Sequence, residues 1–296
     1  MRSASFSTNN IVILGKLFFT AILKGVCPSS RLSNPTDLLF TTSGCRRIIC
    51  FTVSNSPLFI DKLKKGGAGV IDAVSMTGTN GYCDDMAKEN FREMMKEYPT
   101  KGIHFIDGGN YHYLTLLWLS LIEEPFDLIV FDNHSDMQKP AFGDVLSCGG
   151  WIRNLVEDSG FKGKVTVVGV DKDNIDKEMK ELGVKFITKQ TILKKRGQQY
   201  GLENELIDKC WTGKRPVYIS VDKDVLDEKE YKTNWNQGIM SVDELFAIIE
   251  DTFEMRKVIG MDICGEMDEA VNSEFGSIYN EINQAVNMRF LKFRIS

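Results

Sequence analysis

The segment LIVFDNHSD, residues 128–136, joins a short apolar run to three alternating side chains of the kind that bind metals. The apolar run is typical of a strand buried in a parallel sheet. Residues two apart in an extended chain point the same way and lie about 6.5–7 Å apart. Asp132, His134 and Asp136 are therefore predicted to form one row of ligands where the strand ends.

A second segment, VYISVDKDVLD at residues 217–227, repeats this arrangement with Asp222 and Asp224 after an independent apolar run. Ligands bind at the carboxyl ends of the strands in an open α/β sheet. We therefore expect the two rows of side chains to meet at that edge. Either pattern alone arises readily by chance, and the combination is what predicts a site.

The rest of the chain alternates between strand and helix patterns from about residue 48 to residue 293. Such alternation predicts an α/β protein with helices on both faces of a parallel sheet, a three-layer α/β/α arrangement. No repeat, low-complexity tract or linker divides this region, so we predict one domain over residues 47–296. Residues 1–46 fit the alternation poorly and are left unplaced.

Composition limits the classes of function. The chain has 296 residues, 43% of them hydrophobic and 26% charged, and a net charge of −5. These values predict a soluble protein and argue against nucleic acid as a partner. Lys16 and Lys24 interrupt the apolar N-terminal stretch, so no membrane span is expected there. A signal peptide is the alternative for that stretch, but seven scattered cysteines without a C-x-x-C pair favour the cytoplasm.

The predicted site concentrates like charges. Four carboxylates so close together would raise one another's pKa values unless cations compensate them. Two divalent cations would remove the conflict, and carboxylates with imidazoles suit manganese, or less specifically iron, nickel or zinc. Such a pair of cations can bridge a water and lower its pKa, which makes hydroxide available at neutral pH. The site is therefore predicted to serve a hydrolase.

The two segments resemble known motifs. Residues 132–136 are similar to the D-A-H-x-D motif of the arginase/agmatinase (ureohydrolase) family, and residues 220–227 to its S-x-D-x-D-x-x-D motif. DGGNYH, residues 107–112, stands where that family carries G-G-D-H. The resemblance covers about residues 66–293. It implies an arginase-like fold with a central, mainly parallel sheet of about eight strands and a site for two Mn²⁺ ions.

The resemblance also implies roles for the ligands. Asp132 and Asp222 would bridge the two metals. Asp136 and the histidine of the third motif would complete one metal, while His134 and Asp224 would complete the other.

The third motif departs from the family pattern. Tyr111 occupies the position of the family histidine, and His112 lies one residue beyond it. Either the loop holds an extra residue and His112 reaches the metal, or Tyr111 replaces the ligand. Tyrosine is an uncommon manganese ligand, which favours His112.

Two further positions are candidate catalytic residues. Cys148 stands where family members carry a histidine that shuttles protons. A thiol with a lowered pKa near the cations could act as acid, base or nucleophile; a small buried cysteine is the alternative. Glu266 lies one residue beyond the family glutamate that pairs with the substrate guanidinium. It could form that charge-assisted pair or merely begin a helix.

These features together predict a binuclear manganese hydrolase that cleaves a C–N bond of a small guanidino, amidino or amide compound through a metal-bridging hydroxide. An amide is included because arginase-fold deacetylases exist. The alternative, supported by the altered third motif and the missing shuttle histidine, is a metal-binding but catalytically silent relative that binds ligands or acts as a scaffold. A small-molecule substrate is the expected partner, with a homo-oligomer as a further expectation from the family.

Overall fold

The protein is built around a parallel sheet. The computed structural model describes residues 48–52, 63–140, 143–196, 206–267 and 276–295, and the N-terminal segment 1–46 lies outside these residues. The described strands are β1 Ile48–Thr52, β2 Gly69–Asp72, β3 Tyr82–Cys83, β4 Ile103–Phe105, β5 Asp127–Phe131, β6 Leu146–Ser147, β7 Val165–Val168, β8 Lys185–Ile187, β9 Val217–Asp222 and β10 Val258–Cys264. Eight of these form one sheet in the order β2-β1-β4-β10-β9-β5-β7-β8, with all neighbours parallel.

Helices pack on both faces of this sheet. They are α1 Asp85–Lys96, α2 Leu114–Leu119, α3 Trp151–Glu157, α4 Lys177–Glu181, α5 Lys189–Lys195, α6 Val242–Met255 and α7 Gly276–Phe290. The buried apolar residues of α1 to α4 belong to one cluster, and those of α5 to α7 belong to a second. The predicted three-layer α/β/α fold with about eight strands is thus confirmed.

Strand β5 shows why the layers form. Its apolar residues alternate between the two clusters: Leu128 and Val130 lie in one, and Ile129 and Phe131 in the other. Side chains on a strand alternate between the two faces of the sheet, so an uninterrupted apolar run buries both faces. The sequence pattern that predicts a buried parallel strand has this physical origin.

Two local features differ from the sequence expectation. The pattern over residues 171–182 suggests one helix, but the structure has a 3₁₀ turn at Lys172–Asn174 followed by the short α4. Two aspartates act as separate N-caps: Asp171 accepts from the Asp173 backbone N–H and Asp176 from that of Met179. The other difference is β3 and β6, a two-stranded antiparallel sheet that local pattern does not reveal.

None of the described helices combines the length and apolar character needed to cross a bilayer.

Candidate metal centre

The candidate centre lies where β5 and β9 end, side by side in the middle of the sheet. Phe131 pairs with Val221 in the parallel register, so Asp132 and Asp222 meet just beyond these two residues. The third contribution is His112, which follows a 3₁₀ turn after β4. The sheet edge therefore brings together side chains that are far apart in the sequence, as expected for the carboxyl ends of parallel strands.

Two groups of side chains could each hold a cation. The first is His112, Asp132 and Asp222, and the second is Asp132, His134 and Asp224. Within each group the ligand atoms lie within 4.8 Å of one another. Asp132 belongs to both groups, which is the arrangement needed for a carboxylate that bridges two metals.

The first group surrounds the buried ring of His112. Its Nδ1 lies 3.3 Å from Asp132 Oδ2 and 3.7 Å from Asp222 Oδ2. Asp136 also approaches, with its Oδ2 2.9 Å from the same nitrogen. Asp136 has a φ of 48°, a left-handed conformation that aspartate tolerates better than most residues. Its Oδ2 also accepts a hydrogen bond from Trp151 Nε1 at 2.7 Å.

The second group surrounds His134. Its Nδ1 lies 2.8 Å from Asp224 Oδ2 and 3.6 Å from Asp132 Oδ1. Backbone amides hold these carboxylates in place, because Asn133 N–H donates to Asp224 Oδ1 and His134 N–H donates to Asp132 Oδ1. The His134 side chain is 31% exposed, while those of its two carboxylate partners are almost fully buried. Solvent and small molecules therefore reach the centre on the His134 side.

Burial and mutual repulsion perturb the ionisation of the carboxylates. Burial, followed by the charges of Asp224 and Asp132, raises the pKa of Asp222 to about 8. Burial and Asp132 likewise raise the pKa of Asp224 to about 6. The centre thus has more negative charge than the protein alone can compensate, which is what a site for cations requires.

The histidines respond in the opposite direction. Burial alone would lower the pKa of His134, but Asp132 and Asp224 outweigh it and raise that pKa to about 11. For His112, Asp132 and Asp136 likewise overcome burial and hold the pKa well above its usual value. Both rings therefore sit where a positive charge is favoured.

A second observation also fits a bound metal. His112 Nδ1 and Asp132 Oδ2 are buried and have no hydrogen bond of good geometry. Such buried, unpaired atoms are rare. The other ring nitrogen, Nε2, lies 3.0 Å from Ser220 Oγ, which donates to Asp262 Oδ1 at 2.6 Å. Because that donation uses the only serine proton, Nε2–H must donate to Ser220, and Nδ1 is left to ligate a metal.

The geometry bears on the choice between Tyr111 and His112. His112 is the residue whose ring lies among the three carboxylates. The Tyr111 ring packs near that of Tyr113, with ring centroids 6.5 Å apart. His112 is therefore the candidate ligand of the two.

Cys148 lies near the centre, in the 3₁₀ turn before α3. Burial, followed by the charge of Asp136, raises the pKa of its thiol to about 11. The sequence-based expectation of a lowered pKa is therefore not met by the protein's own charges. The Cys148 backbone N–H donates to Gly81 O, which ties this turn to the loop before β3.

Glu266 is bonded to other residues of the protein. Its Oε1 accepts from Lys223 Nζ and, at 2.7 Å, from Asn287 Nδ2 of α7. Lys223 is completely buried, donates to Asn287 Oδ1 at 2.9 Å, and lies 4.9 Å from the centroid of the Tyr231 ring. Lys223, which lies between the candidate ligands Asp222 and Asp224 in the sequence, thus compensates the charge of Glu266. Glu266 is the carboxylate that the family resemblance offers as a partner for a substrate guanidinium.

Three loops form a wall beside His134. The Trp235 ring meets that of His134 edge-on, with centroids 5.5 Å apart. Trp235 Nε1 donates to Asn110 Oδ1 at 3.1 Å, and Asn110 Nδ2 donates to Asn80 Oδ1 at 2.7 Å. A Cβ built on Gly109 would lie 2.8 Å from Trp235 Cδ1 and 3.2 Å from Asp222 Oδ2. Only glycine lets the wall approach the carboxylates so closely.

Sequence reasoning missed some residues that support the centre. Asp262 is fully buried in the apolar strand β10, and a lone acid within such a strand is a signal that points to it. No comparable feature of the local sequence points to Lys223 or to Trp151, whose indole N–H donates to Asp136. Their roles depend on where distant segments meet.

Comparisons with known proteins show the family of the chain. The sequence profile of the arginase family matches residues 69–267, more than half of the chain. The chain belongs to the arginase family. An uncharacterised protein of Thermotoga maritima is 34% identical to this arginase-family chain over 167 residues, which are 56% of this chain and 59% of that protein. The chain thus matches less than two thirds of the length of that relative.

Solved structures show the same fold as this arginase-family chain. Formimidoylglutamase from Bacillus subtilis matches with a TM-score of 0.62 and 18% identity, covering 90% of this chain and 94% of that one. Proclavaminate amidino hydrolase from Streptomyces clavuligerus gives 0.60 and 18%, covering 83% and 91%. Formiminoglutamase from Trypanosoma cruzi, solved with Mn²⁺, gives 0.61 and 16%, covering 86% and 96%. At these identities the likeness concerns the fold.

Proposed function

We propose that this arginase-family protein is a binuclear, manganese-dependent hydrolase that cleaves a C–N bond of a small guanidino, amidino or amide compound. The observation that carries the proposal is the pair of three-residue groups that share Asp132. The buried His112 Nδ1 and Asp132 Oδ2 support it, because neither has a hydrogen bond of good geometry and each could bind a cation.

Manganese is proposed on the chemistry of the ligands. Carboxylate oxygens with two imidazoles suit a hard to borderline divalent ion, and the structurally similar T. cruzi formiminoglutamase was solved with Mn²⁺. His112, Asp132, Asp136 and Asp222 would hold one ion, and Asp132, His134, Asp222 and Asp224 the other. When bound, two such ions share a water and lower its pKa, which supplies hydroxide near neutral pH.

The residues of the chain then position and enclose the reaction. The Ser220 hydroxyl fixes the His112 ring, and the backbone amides of Asn133 and His134 orient Asp224 and Asp132. The exposed side of His134 admits the substrate. We keep Cys148 as a candidate for moving a proton, since Coulomb interactions link it to Asp136 and His112. Glu266, at the same sheet edge, is kept as the second candidate catalytic residue.

The test combines metal content with turnover. Protein incubated with Mn²⁺ and desalted should hold two ions per chain by elemental analysis and release ammonia, urea or amine from a panel of guanidino, amidino and amide compounds. Asp132→Asn, which removes the shared ligand, and Asp224→Asn should each lose at least one ion and about 10³-fold or more of the activity.

Asp227→Asn is the matched control. This acid ends the same motif, but its Oδ1 accepts from the Lys229 backbone N–H in a turn. It should keep both ions and its activity. Wild-type protein without bound metal after incubation would overturn the proposal.

A second candidate function rests on the internal bonding of Glu266. Because Lys223 and Asn287 already satisfy that carboxylate, the protein could bind metal and a ligand without turning it over. Two bound ions without turnover across the whole panel would favour this catalytically silent form over the hydrolase.

A further inference from the structure

The solvent-facing side of His134, called the cleft below, is bordered by uncharged side chains. Trp235, Asn110 and Asn80 form a hydrogen-bonded row on one side. Gln138 lies beside the turn that holds Cys148, because its backbone N–H donates to Gly149 O and a Cβ built on Gly149 would lie 3.1 Å from the Gln138 side chain. Cys148 is the residue before Gly149. These segments carry an indole, three carboxamides and a thiol.

Two charged side chains next to these segments are already paired. Lys139, which follows Gln138, forms an ion pair with Glu178 at 2.9 Å. Glu266, which follows β10 at the same sheet edge, is bonded to the buried Lys223. The four carboxylates of the centre would be balanced by two divalent cations. A positively charged substrate group would therefore meet no uncompensated carboxylate among these residues.

A cation that leaves water for a cleft must be paired, or its desolvation outweighs the contacts that it gains. A neutral planar group has a smaller desolvation cost. Carboxamides can donate to it and accept from it, and an indole face can pack on it.

We propose that the cleft recognises an uncharged carboxamide or ureido group, and not a guanidinium or amidinium, through the wall formed by Trp235, Asn110 and Asn80. This inference rests on the proposed hydrolase. For a carboxamide the reaction forms a C–O bond from water and breaks the C–N bond. Both protons of the water end on the departing nitrogen, so the products are a carboxylate and ammonium.

The test uses pairs of compounds that differ in charge and little in shape. Butyramide is compared with butyramidine, and butylurea with butylguanidine, on the manganese-loaded full chain. The neutral member of each pair should have a kcat/KM at least about tenfold higher, the discrimination expected from burying one unpaired charge. It should also bind more tightly by titration calorimetry. A cationic member that is turned over or bound as well as its neutral partner would overturn the inference.

A charge placed in the wall should reverse the preference. Asn110→Asp keeps the shape of the side chain and adds a carboxylate beside Trp235. It should raise the cationic-to-neutral ratio of kcat/KM about threefold to tenfold, and added salt should weaken that gain because it screens partly exposed charges. Asn90→Asp, on the exposed face of α1, adds the same charge elsewhere and should leave the ratio unchanged. An unchanged ratio in N110D would count against the wall as the determinant.

The experiments separate failure of the hydrolase assignment from failure of the preference for uncharged groups. If the loaded protein turns over none of the four compounds, the hydrolase assignment loses support, while calorimetry still decides between neutral and cationic ligands. If it hydrolyses the cationic members preferentially, the hydrolase stands and the uncharged cleft is wrong.

Discussion

Asp222 has a pKa that makes the metal-free protein sensitive to pH. Burial, followed by Asp224 and Asp132, raises it from 3.8 to about 8. Between about pH 4 and pH 8 the folded protein therefore holds a proton that the unfolded chain has released. The native state binds more protons over this range, so the stability of the metal-free protein falls as pH rises from about 4 to about 8.

Asp222→Asn should remove this dependence. In a chelator, D222N should unfold at a higher temperature than the wild type at pH 8, and the difference should shrink toward pH 4. In Mn²⁺ the order should reverse, because the variant lacks a ligand. Thermal denaturation across this pH range measures both effects, with D227N as control. A wild-type melting temperature that does not fall between pH 5 and pH 8 in chelator would contradict the reasoning.

Ser220 determines which nitrogen of His112 is available to a metal. Its hydroxyl lies between His112 Nε2 and Asp262 Oδ1, so Ser220→Ala frees the ring to rotate or change tautomer. Loss of such a supporting hydrogen bond lowers metal affinity about 10–100-fold. We expect S220A to raise the Kd for Mn²⁺ by that factor while the fold is retained, as measured by metal titration. Ser120→Ala, at the end of α2, should leave the Kd unchanged.

The Lys223–Glu266 ion pair joins three elements. Lys223 belongs to the turn after β9, Glu266 follows β10, and Asn287 of α7 bonds to both. Removing one member of a buried ion pair costs about 3–5 kcal/mol because the other charge is left unpaired, whereas replacing both by apolar residues is often neutral. Lys223→Met should therefore destabilise the protein by about that amount in urea.

The double variant K223M/E266M should recover most of the lost stability. If the double variant is less stable than either single variant, an unpaired buried charge is not what destabilises the single variants.

The elements differ in how well their sequences predict them. Strands β5 and β9 are predictable because each is buried on both faces and reads as an unbroken apolar run. Helix α6 is predictable from its capping box, in which Ser241 and Glu244 bond to each other's backbone. The sheet of β3 and β6 is not predictable, since two residues carry no periodicity and the two strands lie far apart in the sequence.

The centre as a whole should stabilise the folded chain when it is filled. Its ligands come from segments spread over more than 100 residues, so a metal that binds the folded chain alone adds to the free energy of unfolding. At a free Mn²⁺ concentration 100 times the Kd, one site contributes about 2.7 kcal/mol. We expect the melting temperature to rise by several degrees in Mn²⁺ and to fall again in EDTA. D132N should show little of this shift.

The sequence predicted the ligand rows because alternation along a strand is a local property. Asp132, His134, Asp222 and Asp224 could be named before their distances were known. His112 could be named only with Tyr111 as an alternative, since the turn that presents it is set by tertiary packing. The pairing of Lys223 with Glu266 and the contact of Trp235 with Asn110 join residues 43 and 125 positions apart, and no short window of sequence contains them.

The unequal burial of the two histidines has a kinetic consequence. The side chain of His112 is 1% exposed, whereas that of His134 is 31% exposed. An ion next to His134 faces solvent and would exchange quickly, while an ion next to His112 lies behind it and leaves only when the surrounding loops open. Brief chelation would therefore leave a half-loaded species, and a competing ion from the medium would first replace the labile one.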